Sequence, residues 1–155
     1  MMAQDRRMVV VAVDGQRYAL PLAVVVRVVR AIEVTPLPDC PPAVLGVINV
    51  QGSVIPLYSL RRRFGKADRE IQLEDQLVIV RAGSRTVALL VDEVRGVVEC
   101  EPRRIVPVEQ VEPHEDFIRA VVKLDDALAL VPDLDVLLSL PGVGLPGDVL
   151  PTRGP

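Results

Sequence analysis

A chain of 155 residues suits one compact domain, or two small intimate subdomains, with a self-sufficient core. Eighteen basic against 21 acidic residues, a net charge of −3, exclude a nucleic-acid binder that relies on neutralising phosphates. Half of the residues are apolar but only 3% aromatic, and runs of Val punctuated by 14 Pro and 10 Gly predict an all-β chain of short strands.

The opening residues, Met1 to Arg7 and then an apolar run to Val13, superficially imitate a signal peptide. Asp14-Gly15 cuts that run and no small-residue cleavage site follows, so a cytoplasmic protein with a flexible stretch at 1–7 is expected. No segment approaches the roughly 20 apolar residues that span a bilayer.

Residues 8–13 read as a strand, Asp14-Gly15 as a two-residue hairpin turn, and Gln16 to Leu20 as the returning strand, ended by Pro21. The run from Leu22 to Val34 is ambiguous, but its β-branched residues lower helix propensity, so a short turn through Val24 and a strand from Val25 to Glu33 are predicted. Thr35 to Pro42 is a Pro-rich rigid loop, and Pro41-Pro42 is placed to open a short turn of helix through Leu45.

The next stretch, Gly46-Val-Ile-Asn-Val-Gln-Gly-Ser-Val-Ile-Pro-Leu-Tyr-Ser-Leu-Arg61, organises the chain. Val47, Ile48 and Val50 face Val54, Ile55 and Leu57 across a bend at Gly52, where φ is free to be positive. Asn49, unusual in a strand, stands three residues before Gly52 and is suited to bridge to loop backbone and fix the bend. Pro56 cannot donate to a ladder, so the second strand is expected to be an edge strand or to break there. Ser59 to Phe64 should turn helically and close at Gly65, and the charged, aperiodic residues 65–75 read as a flexible loop.

The second half repeats this style. Leu77 to Val80 and Arg85 to Val91 are strands about a turn at Ala82-Gly83-Ser84, and residues 92–98 continue with a bend at Gly96. A loop-rich passage carries Pro102, Pro107 and Pro113. Phe117 to Leu124 and Ala127 to Pro132 form a hairpin turning at Asp125-Asp126, Asp133 caps a short helix through Leu140, and residues 141–155 form a disordered Pro- and Gly-rich tail. Two β-rich halves of similar length, divided at roughly 65–80, imply two small barrels, although periodicity alone leaves a single sandwich open.

The Gly46-Val-Ile-Asn-Val-Gln-Gly run, the Val-Ile-Pro-Leu that follows and the Ser-Leu-Arg-Arg-Arg-Phe-Gly ending at Gly65 resemble the signature of the CheW-like domain. That pattern is close to G-V-x-N-L-R-G, an apolar run with Pro, then D-L-R-x-x-F-G; Val91-Asp92-Glu93-Val94 matches a further element. The resemblance spans about Met8 to Leu140, with Gln51 in place of the usual Arg and Ser59 in place of the usual Asp. It implies one domain over 8–140, built of two small five-stranded SH3-like barrels packed on a shared core with short helical turns, the first strand possibly shared.

The resemblance implies a non-enzymatic adaptor that couples the cytoplasmic hairpin of a methyl-accepting chemoreceptor to the regulatory domain of a CheA-type histidine kinase. Such a protein would sit in the cytoplasm at membrane-associated receptor arrays, without cofactor or metal and without contact to nucleic acid or membrane insertion. An apolar, Val-lined groove between the barrels would accept a receptor helix, and the partner-binding residues would be Val26, Val28, Gly46, Asn49, Gln51 and Gly52. Alternatives are a diverged adaptor of a non-flagellar array, serving surface motility or second-messenger output, or a small-barrel ligand-binding or enzymatic domain.

Catalytic chemistry finds little support. His114 stands alone in a polar loop, Cys40 and Cys100 are too few and too far apart for a metal cluster, and phosphate-loop and nucleophile-elbow patterns are missing. The acidic run Glu109, Glu112, Glu115, Asp116 reads as a solvated loop or a rim steering a basic partner. Arg61-Arg62-Arg63 suits either an acidic partner or the C-terminal end of a short helix.

Overall fold

The computed structural model describes residues 6–30, 33–110 and 117–139. Strands β1 (Arg7–Val13) and β2 (Gln16–Pro21) form an antiparallel hairpin whose turn residues, Asp14 and Gly15, both have positive φ (52° and 82°). That is the turn whose twist matches paired strands, and Asp-Gly is suited to it. A 3-10 turn, Leu22–Val24, leads to β3 (Val25–Arg30). Strands β4 (Val44–Val50) and β5 (Ser53–Ser59) form the central hairpin, followed by the one-turn helix α1 (Leu60–Arg63).

Next come β6 (Gln76–Ala82), β7 (Arg85–Val91) and β8 (Glu93–Glu99). Then follow the short β9 (Ile105–Pro107), the hairpin of β10 (Ile118–Lys123) and β11 (Leu128–Pro132), and helix α2 (Leu134–Ser139). Asp133 caps α2 as expected, its Oδ1 accepting from the Val136 amide at 3.2 Å.

Among the described residues eleven strands make two sheets, one in the order β3-β6-β7-β5-β4 and one in the order β8-β1-β2-β11-β10-β9. The N-terminal hairpin thus belongs with the C-terminal strands. The chain changes sheet at 21–25 and again at 91–93, not at a single point within 65–80. Both sheets are open ladders rather than closed barrels, and one has six strands.

Alternation along each strand gives each sheet two apolar faces. The inner faces meet in one shared core that includes Val9, Val11, Val13, Tyr18 and Leu20 from the larger sheet. Tyr58, Val78, Val80, Leu89 and Val91 come from the smaller one, and Leu137 and Leu138 from α2. The second face of the five-stranded sheet gathers Ile48, Ile55, Leu57, Leu77, Ile79, Ala88 and Leu90. Half-buried Val29 from one edge strand and Leu45 and Val50 from the other pack on that cluster, so this sheet curls round a small core of its own. Met8, Ala19, Cys100, Val122, Ala129 and Val131 do the same for the six-stranded sheet.

Two local expectations fail for non-local reasons. Pro42-Ala43 form a turn, not a helix, because the Ala43 carbonyl accepts from Ser59 N at 2.8 Å and the next residue already belongs to β4. Pro56 neither breaks β5 nor puts it at an edge: β5 lies between β4 and β7. Its parallel pairing with β7 starts only at Leu57, so the missing amide hydrogen of Pro56 lies just outside that ladder.

Candidate functional site

The central hairpin turns at Gln51-Gly52, between the paired Val50 and Ser53. Both turn residues have positive φ, 51° and 89°, so the tip is a two-residue turn of the same kind as Asp14-Gly15. Asn49 Oδ1 accepts the Gly52 amide at 2.8 Å, the bridge from strand to turn that its position predicts. Asn49, Gln51 and Gly52 are all exposed.

Gly46 has a different role. It is buried at a bulge in β4, with φ of 146°, where the chain at Thr35 crosses the edge of the sheet. Thr35 and Val47 exchange two backbone hydrogen bonds of 2.9 Å, and a Cβ on Gly46 would stand 2.3 Å from the Thr35 carbonyl oxygen. No side chain fits there.

Beside the turn opens a groove of about 430 Å³, lined by Val26 and Arg27, by Val50, Gln51 and Ser53 to Ile55 around the turn, and by Ile79 and Thr86. It is the mouth of the small core inside the curled five-stranded sheet, since Ile55 and Ile79 belong to both. It therefore lies within one sheet, not between two barrels as the resemblance implied. Val26 reaches it through a bulge: Val25 pairs with Val80 and Arg27 with Ile79, leaving Val26 as the extra residue. Val28 pairs with Val78, whose side chain belongs to the core between the sheets, and does not line the groove. Of the six residues singled out from the sequence, then, Val26 and Gln51 line the groove, Asn49 and Gly52 shape its rim and Gly46 holds β4 against Thr35. Val28 lies on the other face.

A second constellation was read from the sequence only as separate motifs. Asp92, at the crossing from β7 to β8, accepts Arg61 Nη2 at 2.8 Å and the Asp14 amide at 2.7 Å on Oδ2. Its Oδ1 takes Arg61 Nε at 3.3 Å and Arg69 Nη2 at 2.9 Å. Arg69 also holds the buried Asp75 at 2.8 and 3.0 Å. Burial pushes the Asp92 carboxyl up, but the Arg61 hydrogen bond, the Asp14 amide and the two guanidinium charges outweigh it and hold it below the usual range. Residues 65–75 are thus irregular but tied down by ion pairs; aperiodic charge hid this, although the Val-Asp-x-Val match marked Asp92.

A CheW-like domain profile matches residues 7–141. The chain belongs to the CheW-like domain family. It is 29% identical over 134 residues to the chemotaxis protein CheW of Bacillus subtilis, covering 85% of this chain and 86% of that one. It is 27% identical over 132 residues to the CheW of Rhizobium meliloti, covering 84% and 85%. The crystal structure of the scaffolding protein TtCheW from Thermoanaerobacter tengcongensis superposes with a TM-score of 0.80 at 26% identity, covering 90% of this chain and 96% of that one. CheW-family proteins are non-enzymatic adaptors.

Within the CheW-like pattern the two departures differ in kind. Ser59 is buried, and its Oγ accepts the Arg62 amide at 3.2 Å as the N-cap of α1, a task Ser and Asp share. Gln51 is on the surface and leaves the turn uncharged.

Another groove, about 350 Å³, lies on the six-stranded sheet and is rich in charge, but three of its arginines are matched from within. Arg17 meets Asp126 at 2.8 Å, Arg104 meets Asp125 at 3.1 Å, and Arg103 pairs with Glu101. Cys100 borders it, and burial pushes that thiol up, away from a reactive thiolate; burial, then the charge of Asp39, does the same at the half-buried Cys40. Both thiols are free, and His114 lies outside the described residues. Among the described residues no acidic, His or Cys group is arranged to hold a metal, and no helix is long and apolar enough to cross a membrane.

Proposed function

We propose that this chain is the scaffold of a chemosensory array, joining the cytoplasmic tips of methyl-accepting chemoreceptors to the regulatory domain of a CheA-type histidine kinase. It works at membrane-associated arrays from the cytoplasmic side, by contacts alone. The observation that carries the reading is the family match over 7–141 together with a fold that covers almost all of a solved CheW scaffold. The groove beside the central hairpin adds a surface with the right character, a rigid turn flanked by exposed Val26 and Val54.

In this reading Val26 and Gln51 touch the partner, while Gly46, Asn49 and Gly52 set the shape of the surface they belong to. Val28, exposed at the sheet edge but outside the groove, contacts a partner only at the rim. Signal passes if receptor state changes the relative affinities of these contacts.

The test uses purified components. The chain is titrated into the cognate kinase, and then into kinase with receptor held in a lipid bilayer, with binding and autophosphorylation as readouts. Binding of the kinase, and receptor control of it that depends on this chain, are expected. A chain that binds neither partner at micromolar concentration overturns the proposal.

A further inference from the structure

Gln51 takes the charge out of the hairpin turn, yet the groove beside it is not neutral. Arg27 projects into it from the opposite wall, because the bulge at Val26 sets Arg27 opposite Ile79 and so on the groove side of β3. Among the described residues it is the only ionisable side chain lining the groove, and no carboxylate lines it. Arg27 is exposed and forms no ion pair among the described residues. Elsewhere the ion pairing is dense: Arg17, Arg61, Arg62, Arg69, Arg103 and Arg104 all meet carboxylates. A cation with no ion pair among the described residues, standing beside apolar Val26 and Val54, which are 51% and 64% exposed, is complementary to an acidic neighbour with an aliphatic side chain.

We propose that Arg27 is the specificity-determining residue of this groove, and that the groove takes a segment of the kinase partner presenting an aliphatic side chain beside a carboxylate. The aliphatic group packs between Val26 and Val54, and the carboxylate receives the Arg27 guanidinium. The positive charge that the CheW-like pattern carries on the turn is thereby supplied from β3, and the partner surface is acidic although Gln51 is neutral. This rests on the scaffold reading above.

The experiment measures the affinity of the purified chain for its cognate CheA-type kinase at low and high salt, using the wild type, Arg27→Gln, Arg27→Glu and the double variant Arg27→Gln/Gln51→Arg. Arg27 is exposed, so thermal unfolding should confirm that all four fold alike. Arg27→Gln is expected to weaken binding about five- to thirty-fold, as loss of a charge-assisted hydrogen bond does, and to flatten the salt dependence. Arg27→Glu should weaken it further, and the double variant should regain part of the affinity by returning the cation to the turn. Unchanged affinity and salt dependence in Arg27→Glu overturn this inference while leaving the scaffold reading intact. Failure of the wild type to bind the kinase overturns both.

Discussion

Arg61 and Asp92, thirty-one residues apart, meet side by side, with Nη2 at 2.8 Å from Oδ2 and Nε at 3.3 Å from Oδ1. The pair joins the helix after the central hairpin to the point where the chain passes from one sheet to the other. Through the Asp14 amide it also holds the N-terminal hairpin of the six-stranded sheet. Arg69 brings in the loop before β6. One carboxylate therefore pins four segments, and Arg61 and Asp92 both belong to stretches that match the CheW-like pattern.

This gives a pH prediction with a definite sign. The folded-state pKa of Asp92 is depressed, so its contribution is fully present above the unfolded carboxylate value of about 3.9 and is lost as pH falls through the lower, folded value. Melting temperatures of the wild type and Asp92→Asn are compared from neutral pH into acid. The wild type should start higher and lose its advantage below about pH 4. Asp68 and Asp126, exposed carboxylates also held low by arginines, contribute equally to both proteins. Parallel curves would remove Asp92 from the centre of the network.

The strands and turns were legible because their causes are local. Asp14-Gly15, Asn49 with Gly52, Asp125-Asp126 and the Asp133 cap each act within four residues, and each is where the sequence placed it. What stayed hidden depends on distant partners. Nothing near Val9 says that it pairs with Val97, so the hairpin that opens the chain could not be assigned to the C-terminal sheet. The bulge that turns Arg27 into the groove is a register shift against β6, invisible in the spacing of Val25 to Arg30. Gly46 stood out as a hairpin residue, but its cause is the Thr35 carbonyl eleven positions earlier.

That cause makes Gly46→Ala a sharp test. The substituent meets backbone rather than a flexible side chain tip, at a φ that side chains rarely adopt. A loss of at least about 2 kcal/mol is expected, from strain plus displacement of the Thr35 segment. Chemical denaturation of the purified variant measures it; a loss below about 0.5 kcal/mol, the range of neutral surface changes, would mean that the Thr35 crossing yields freely.

Tyr18 predicts the opposite end of the pH scale. It is buried at the seam of the two sheets and stacks on Phe64 at 4.4 Å, with Phe117 next in line 5.3 Å from Phe64. Burial first, then the Asp14 charge, pushes its phenol up to about 12. A raised pKa stabilises the fold below the unfolded value of about 10, and that stability is lost as pH climbs from there to about 12. Tyr18→Phe should therefore unfold at higher pH than the wild type, followed by circular dichroism alongside phenolate absorbance. Identical alkaline midpoints would show that Tyr18 ionises without loosening the seam.

The turn at Gln51-Gly52 separates shape from contact. Nothing lies within 4 Å of a Cβ placed on Gly52, so its substitution meets no clash and only the positive φ of 89° opposes it. Gly52→Ala and Gly52→Val should each cost about 1–3 kcal/mol, with Val the worse because β-branching resists that conformation. Asn49→Ala, which removes the bond to the Gly52 amide, should cost about 0.5–1.5 kcal/mol. Gln51→Asn keeps a neutral amide and suits the left-handed conformation better but reaches less far, so it should raise the melting temperature slightly while weakening kinase binding. If Gln51→Asn binds the kinase as the wild type does, the Gln51 side chain is not in the contact. If Gly52→Val melts as the wild type does, the turn is not held in the conformation described, and the groove beside it has a different rim.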